Sequence, residues 1–207
     1  MLNNRRFVLK ISGACFADNT GHGVSVEALH RINQEIKTGI MSCPTMELII
    51  VPGGSNLFKG SNAATEFAVG RVTADEIGML STIQNGKLLQ AHWRSNDYVI
   101  QLMSALAIEN VTEYNRFQAL KLFQERNIVV CVGGMGRALF TTNYAAAYRA
   151  AELGANAVFE LVEGKSELDS TTKTFCREHK VTWIVAKADP GALAAAIKER
   201  VKANGTV

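Results

Sequence analysis

Short apolar runs of strand length alternate along this chain with segments whose apolar residues recur at helical spacing. The clearest helical spacing, with steps of three and four, is that of Val26, Leu29, Ile32, Ile36 and Ile40. The runs predicted as buried strands are 7–11, 47–51, 98–103, 128–132, 157–162 and 181–186. Strict alternation of strands and helices is typical of a mostly parallel sheet covered by helices on both faces. The sequence therefore predicts an α/β fold, a three-layer αβα sandwich.

Polar residues and glycines indicate where the predicted helices begin and end. Residues 73–76 (TADE) form a capping box that opens a long helix through about residue 95. Thr142 or Asn143 is expected to cap a helix that Gly154 ends. Asp189 is expected to cap the last helix, with Pro190 in its first turn.

Composition favours an ordinary globular protein. The 207 residues predict one domain, 1–207, and a hydrophobic content of 47% with 20% charged residues is enough for a core. A net charge of +3 without long basic runs gives no reason to expect nucleic acid or membrane as partners. The four cysteines lack metal-site spacing and are predicted to be free thiols in the cytoplasm; the four histidines are scattered, so no residue is assigned as a metal ligand.

Three predicted strands end in glycine-rich turns, and one of them carries a lysine. The turns are Ser12-Gly13, Gly53-Gly54 and 133–136 (GGMG), and Lys10 lies in the apolar first strand. The carboxyl ends of parallel strands share one edge of a sheet, where ligands bind. Exposed backbone N–H groups in such turns bind phosphate, although a tight turn after a strand needs glycine anyway. Lys10 is interpreted as a neutraliser of phosphate charge, or else as an edge lysine whose head reaches solvent.

Longer segments resemble a known family. They are VLKISG (8–13), TGHGVSVEALHRINQEI (20–36), PGGSNLFKG (52–60), RVTADEIGMLSTIQNG (71–86), LMSA (102–105), ALFTTNYAAAYRAAELGANAV (138–158) and LDSTTKTFCREHKV (168–181). In this order and spacing they resemble the bacterial uridylate kinases, a branch of the amino-acid kinase family. The resemblance covers most of the chain.

The resemblance implies a fold, an activity and a set of site residues. It implies transfer of a phosphoryl group from ATP, with Mg²⁺, to UMP by a homo-oligomer, a hexamer in this family. It assigns catalysis to Lys10 and to Asp169, which would organise the catalytic lysine. It assigns phosphate and nucleotide binding to Ser12, Gly13, Gly53, Gly54, Ser55, Asn56 and Lys59. It assigns the acceptor to Asp75, Gly134, Met135, Thr142 and Asn143.

The chain departs from the family pattern at four places. The long loop that holds adenine and ribose after the fifth predicted strand is replaced by a short segment, 161–167. Asn143 replaces an aspartate, Met135 a threonine that faces the acceptor base, and Lys59 an arginine. Three hypotheses therefore stay open: an active nucleoside-monophosphate kinase, a catalytically impaired relative that binds a nucleotide or another anion for storage or regulation, and a structural subunit.

Overall fold

The described strands form a single sheet. The structure, a computed structural model, describes residues 5–59, 65–93, 95 and 97–204. Its strands are β1 (Arg6–Ile11), β2 (Glu47–Pro52), β3 (Val99–Ser104), β4 (Thr112–Glu113), β5 (Asn127–Val132), β6 (Ala157–Val162) and β7 (Trp183–Lys187). Their order is β4-β3-β5-β2-β1-β6-β7, and every pairing is parallel. The predicted parallel sheet is confirmed; β4, two residues long, was not predicted.

Helices cover both faces of the sheet. The helices of the described residues are α1 (Val26–Ser42), α2 (Arg71–His92), α3 (Arg116–Gln124), α4 (Thr142–Leu153), α5 (Ser170–Glu178) and α6 (Ala192–Asn204). Apolar side chains of α1, α2 and α6 join one core, and those of α3 and α4 join the core on the opposite face. This arrangement is the predicted three-layer sandwich. Within the described ranges, no helix has the length and apolarity needed to cross a bilayer.

The alternation of side chains along β1 decides which layer Lys10 faces. Phe7, Leu9 and Ile11 pack into the core under α1, whereas Val8 packs into the core under α4. Because strand side chains alternate between faces, Lys10 lies on the same face as Val8, toward α4. In β6, Glu160 lies on that face for the same reason.

Two predicted helix starts were wrong by one to three residues. The long helix α2 begins at Arg71 with Gly70 as its N-cap, so Thr73 lies inside the first turn, and the helix ends at His92. The side chain of Thr141, not Thr142 or Asn143, accepts a hydrogen bond from Tyr144 N and caps α4. The predicted stop is confirmed, since Gly154 ends α4 with a left-handed φ of 66°.

The start of α6 is held by a side chain from a distant part of the chain. The carboxylate of Glu35, on α1, accepts hydrogen bonds from Gly191 N at 2.6 Å and from Leu193 N at 3.2 Å. Glu35 is buried, so these N–H groups supply the partners that its charge needs. The predicted cap, Asp189, precedes the helix. The capping carboxylate comes instead from α1, for which the sequence pattern predicted only apolar packing residues.

Candidate functional site

A cavity of about 310 Å³ lies beyond the carboxyl ends of β1, β2 and β5. Most of the predicted site residues line it: Lys10, Ser12, Gly13, Gly53, Gly54, Ser55, Lys59, Asp75, Gly134, Thr142 and Asn143. They come from five separate segments of the chain. The parallel sheet brings them together because neighbouring parallel strands end at the same edge.

The first two glycine turns are packed against each other as well as open to the cavity. A Cβ atom on Gly13 would lie 2.5 Å from Ser55 N, and one on Gly53 would lie 2.7 Å from Gly13 N. Both contacts involve backbone, which has little room to move. Glycine is therefore required at these two positions by the contact between the turns, whatever binds in front of them.

A buried pair of amide side chains fixes the turn after β2. Asn85, on α2, donates to Gly53 O and to Asn56 Oδ1, both at 2.8 Å, and Asn56 donates to Gly23 O at 2.7 Å. Asn56 was predicted to bind nucleotide. It is buried and does not line the cavity; in the structure it ties three loops together.

The turn after β5 is fixed in a similar way. The hydroxyl of Thr82, on α2, accepts a hydrogen bond from Gly133 N at 2.8 Å and donates to Met79 O at 2.7 Å. Met135, predicted to face the acceptor, packs instead against the core under α4. Asn85 and Thr82 show that α2 positions two of the three glycine turns.

The ammonium group of Lys10 lies in the cavity wall and pairs with Glu160. Lys10 Nζ and Glu160 Oε1 are 2.8 Å apart, and only 8% and 3% of the two side chains are exposed. The residues are direct neighbours across β1 and β6. Glu160 Oε2 accepts a further hydrogen bond from Trp183 Nε1 at 3.1 Å and one from the hydroxyl of Ser166. Lys10 was predicted; its partner was not.

Asp169, predicted to organise the catalytic lysine, has another role in the structure. Its carboxylate caps α5 by accepting from Thr172 N at 2.8 Å and from the Thr172 hydroxyl at 2.7 Å, and it accepts from Thr141 Oγ1 at 2.8 Å. Partial burial raises the pKa of Asp169, but these hydrogen bonds outweigh that effect and lower it overall. In the structure Glu160 is the carboxylate that pairs with Lys10, and Asp169 contacts Thr141 of the cavity wall; the catalytic role of Asp169 stays a prediction.

Positive charge dominates the wall on the predicted acceptor side. Arg71 and Arg137 line the cavity beside Lys59. Asp75 accepts from Arg71 Nε at 2.8 Å and from Leu139 N at 2.9 Å, so both of its oxygens have donors. Among the described residues, neither Lys59 nor Arg137 has an acidic partner.

The predictions missed three residues near the cavity, and the sequence gives a clear signal for one of them. Glu160 is a charged residue inside an apolar strand, the same signal that singled out Lys10. Arg71 and Phe140 belong to segments of the family resemblance, but line the cavity only because α2 and the start of α4 converge there.

The wall offers partners for phosphate oxygens and no ready set of metal ligands. In the described ranges no three His, Cys, Asp or Glu side chains are grouped to hold a metal ion. Asp75, the carboxylate on the wall, is already engaged by Arg71 and Leu139. An Mg²⁺ ion at this edge would therefore need ligands from a bound molecule.

A larger recess, of about 680 Å³, adjoins the first across the 3₁₀ turn Gly13–Phe16. Its wall carries three carboxylates, Asp18, Glu27 and Glu163, against one cation, Arg31. That balance of charge does not favour phosphate as a ligand of the recess.

The thiol of Cys15 is buried beneath this turn. Burial is the main cause that raises its pKa, and the nearby Glu163 is the second; together they raise it to about 12, so the thiol stays protonated.

The model of the Amino acid kinase family matches residues 5–162 of this chain. Among curated relatives, uridylate kinase of Ehrlichia ruminantium is 33% identical over 160 residues, which cover 77% of this chain and 65% of the relative. Uridylate kinase of Rubrobacter xylanophilus is 33% identical over 186 residues, 89% of this chain and 71% of the relative. The crystal structure of UMP kinase from Bacillus anthracis has a TM-score of 0.86 and 26% identity, covering 93% of this chain and 91% of that one.

The fold, the cavity at the strand ends and these matches show that the chain belongs to the amino acid kinase family. Within the family its relatives are uridylate kinases, so it is a uridylate-kinase-like protein. The chain spans just under two thirds of the length of the first of those relatives.

Proposed function

We propose that this protein binds nucleotide phosphates in the 310 Å³ cavity and transfers a phosphoryl group from ATP to a nucleoside monophosphate, UMP by resemblance. One observation carries the proposal. Lys10 is 6% exposed and its ammonium has three N–H donors, yet within the described residues Glu160 alone accepts from it. Two further donors on a lysine of the cavity wall favour a ligand with several oxygen acceptors.

The charge of the wall supports a phosphate ligand. Its cations are Lys10, Lys59, Arg71 and Arg137, and the carboxylates in contact with them are Asp75 and Glu160. The excess of two positive charges matches a phosphate monoester, which carries about −1.5 to −2 at neutral pH.

Each element of the wall would have a part in the transfer. Lys10 would offset charge that develops on the transferred group, and the N–H groups of the first two glycine turns would hold its oxygens. The first turn of α4, at Thr142 and Asn143, adds the positive end of a helix dipole. Positioning and charge neutralisation supply most of what phosphoryl transfer needs. Mg²⁺ would arrive with ATP, bound by phosphate oxygens.

The test is an assay of ADP release with ATP, Mg²⁺ and each nucleoside monophosphate. The wild-type protein should turn over, with UMP the best acceptor. Lys10→Met should lower kcat at least about a hundredfold, because the charge in the wall is lost. Lys121→Met, which removes an exposed lysine from α3, should leave the rate unchanged.

Two results would contradict the proposal. Equal rates for wild type and Lys10→Met would show that Lys10 does not contribute to the reaction. Binding of ATP without turnover for any acceptor would refute phosphoryl transfer and leave a nucleotide-binding protein.

We also propose that copies of the chain associate through α2 in the cytoplasm. The helix exposes Val72, Ile77 and Leu80, with exposed fractions of 49%, 37% and 47%. An apolar patch of this kind on a helix suits a protein interface. Light scattering after size exclusion should report an oligomer that Leu80→Glu weakens; a monomer at all concentrations would contradict the proposal.

A further inference from the structure

Lys10 and Glu160 form a buried ion pair across two central strands. Each residue is the direct neighbour of the other in the register of β1 and β6, and both side chains lie on the α4 face of the sheet. Lys10 lines the phosphate cavity, whereas Glu160 lies behind it, 3% exposed. The carboxylate is therefore behind the ammonium group as seen from the cavity.

Glu160 is fixed where it is. Its second oxygen accepts from the indole of Trp183, on β7, and from the hydroxyl of Ser166 in the connection between β6 and α5. These donors bind Oε2 of Glu160, whereas its other oxygen, Oε1, accepts from Lys10. Two hydrogen bonds that do not involve Lys10 therefore hold Glu160 in position when a ligand approaches Lys10 from the cavity.

We propose that Glu160 is an intramolecular counter-ion that competes with phosphate for the charge of Lys10 and so weakens phosphate binding in the cavity. The inference rests on the proposed phosphate site. A full negative charge in contact with the ammonium lowers the electrostatic potential that a phosphate meets at the cavity wall. Glu160 also offsets the cost of burying Lys10, so the fold accommodates a buried lysine there without a ligand.

Glu160→Gln should separate these two effects. The amide keeps the size of the side chain and a hydrogen-bond acceptor but removes the charge. Without a ligand, the variant leaves a buried ammonium uncompensated and should have a lower Tm than the wild type. Phosphate then becomes the missing counter-ion, so it should bind more tightly and raise the Tm by more than it does in the wild type.

The experiment measures binding of inorganic pyrophosphate by calorimetry and by thermal shift, at fixed ionic strength. We expect Glu160→Gln to bind on the order of tenfold more tightly than the wild type, and Lys10→Met to bind more weakly than either. Glu47→Gln is the matched control. It removes the carboxylate of another cross-strand pair on β1, with Arg6 at 2.6 Å, at the end of the strand remote from the cavity. It should lower the Tm without changing the affinity for pyrophosphate.

The outcomes distinguish the two proposals. If wild type and Lys10→Met bind pyrophosphate equally, or if the wild type does not bind it, the proposed phosphate site fails. If the wild type binds it more tightly than Lys10→Met, but Glu160→Gln binds no more tightly than the wild type, the phosphate site stands and the counter-ion role is refuted.

A second variant covers the case in which Glu160→Gln does not fold. Glu160→Asp keeps the charge and withdraws it from the ammonium by one methylene. Its affinity for pyrophosphate should exceed that of the wild type by a smaller factor. An unchanged or lower affinity would overturn the inference.

Discussion

Asn85 gives the sharpest test of how α2 positions the cavity. The side chain is fully buried, and its amide donates to Gly53 O and to Asn56 Oδ1. Asn85→Leu keeps the volume but leaves both acceptors without this donor, and Asn56 Nδ2 also loses Asn85 Oδ1, an acceptor at 3.3 Å. Leaving a buried polar group unsatisfied costs about 1–3 kcal/mol, and at least two groups lose a partner. We therefore expect the free energy of unfolding to fall by about 2–6 kcal/mol.

A second buried asparagine provides the control. Asn33, on α1, makes one hydrogen bond, from Nδ2 to His92 O at 3.2 Å, and its Oδ1 has no partner in the described part of the chain. Asn33→Leu removes that unsatisfied oxygen, so its effect should be within about 1 kcal/mol. Urea unfolding followed by circular dichroism measures both variants. A loss below about 1 kcal/mol for Asn85→Leu, or equal losses for the two variants, would refute the reasoning.

Three further results are expected. Glu35→Ala should lower the free energy of unfolding by at least about 1 kcal/mol in urea, because the first N–H groups of α6 lose their acceptor; a neutral effect would contradict the capping role. Asp169→Ala should cost about 1 kcal/mol at pH 7. The pKa of Asp169 is lowered in the folded protein. The stabilisation from its carboxylate is therefore present at a pH above the pKa of the unfolded chain and is lost as the pH falls through the pKa of the folded protein. The cost of the substitution should shrink below about pH 4, and a cost independent of pH would contradict this reasoning. Cys15, with a pKa of about 12, should resist alkylation at pH 8 until the protein is unfolded in urea; rapid labelling of the native protein, read by mass spectrometry, would show the thiol is accessible.

The sheet and most of the cavity could be predicted because their signals are local. Apolar runs gave strands whose observed bounds differ by one or two residues, and β6 was predicted without error. Glycine turns after three of these strands had to meet at one edge once the strands were parallel. The side chains that hold the turns were missed, since Asn85 and Thr82 look like ordinary polar residues within a helix. Only the packing of α2 shows that they face Gly53 and Gly133.

The roles of acidic and amide residues near the site could not be predicted in the same way. Asp169 and Asn56 match positions of the family resemblance, yet their polar atoms are occupied by Thr141 and Thr172 in one case, and by Gly23 and Asn85 in the other. A polar residue beside a glycine turn can bind a ligand or satisfy the turn itself. The sequence does not distinguish these possibilities, because the partner is distant along the chain.

The partner of Lys10 could not be predicted for the same reason, and the identity of this partner affects what the site binds. A lysine in an apolar strand signals a buried charge, but the counter-charge depends on which strand lies beside β1 and in what register. Placing β6 next to β1, with Glu160 opposite Lys10, supplies that counter-charge from the fold itself. The pairing offsets the cost of burying the lysine without a ligand, so the buried lysine alone is weaker support for a phosphate site than it was in the sequence. A phosphate would instead be bound by the two ammonium donors that Glu160 leaves unused and by Lys59 and Arg137, which have no acidic partner in the described part of the chain. For this reason variants of Lys10 and Glu160 must be compared together.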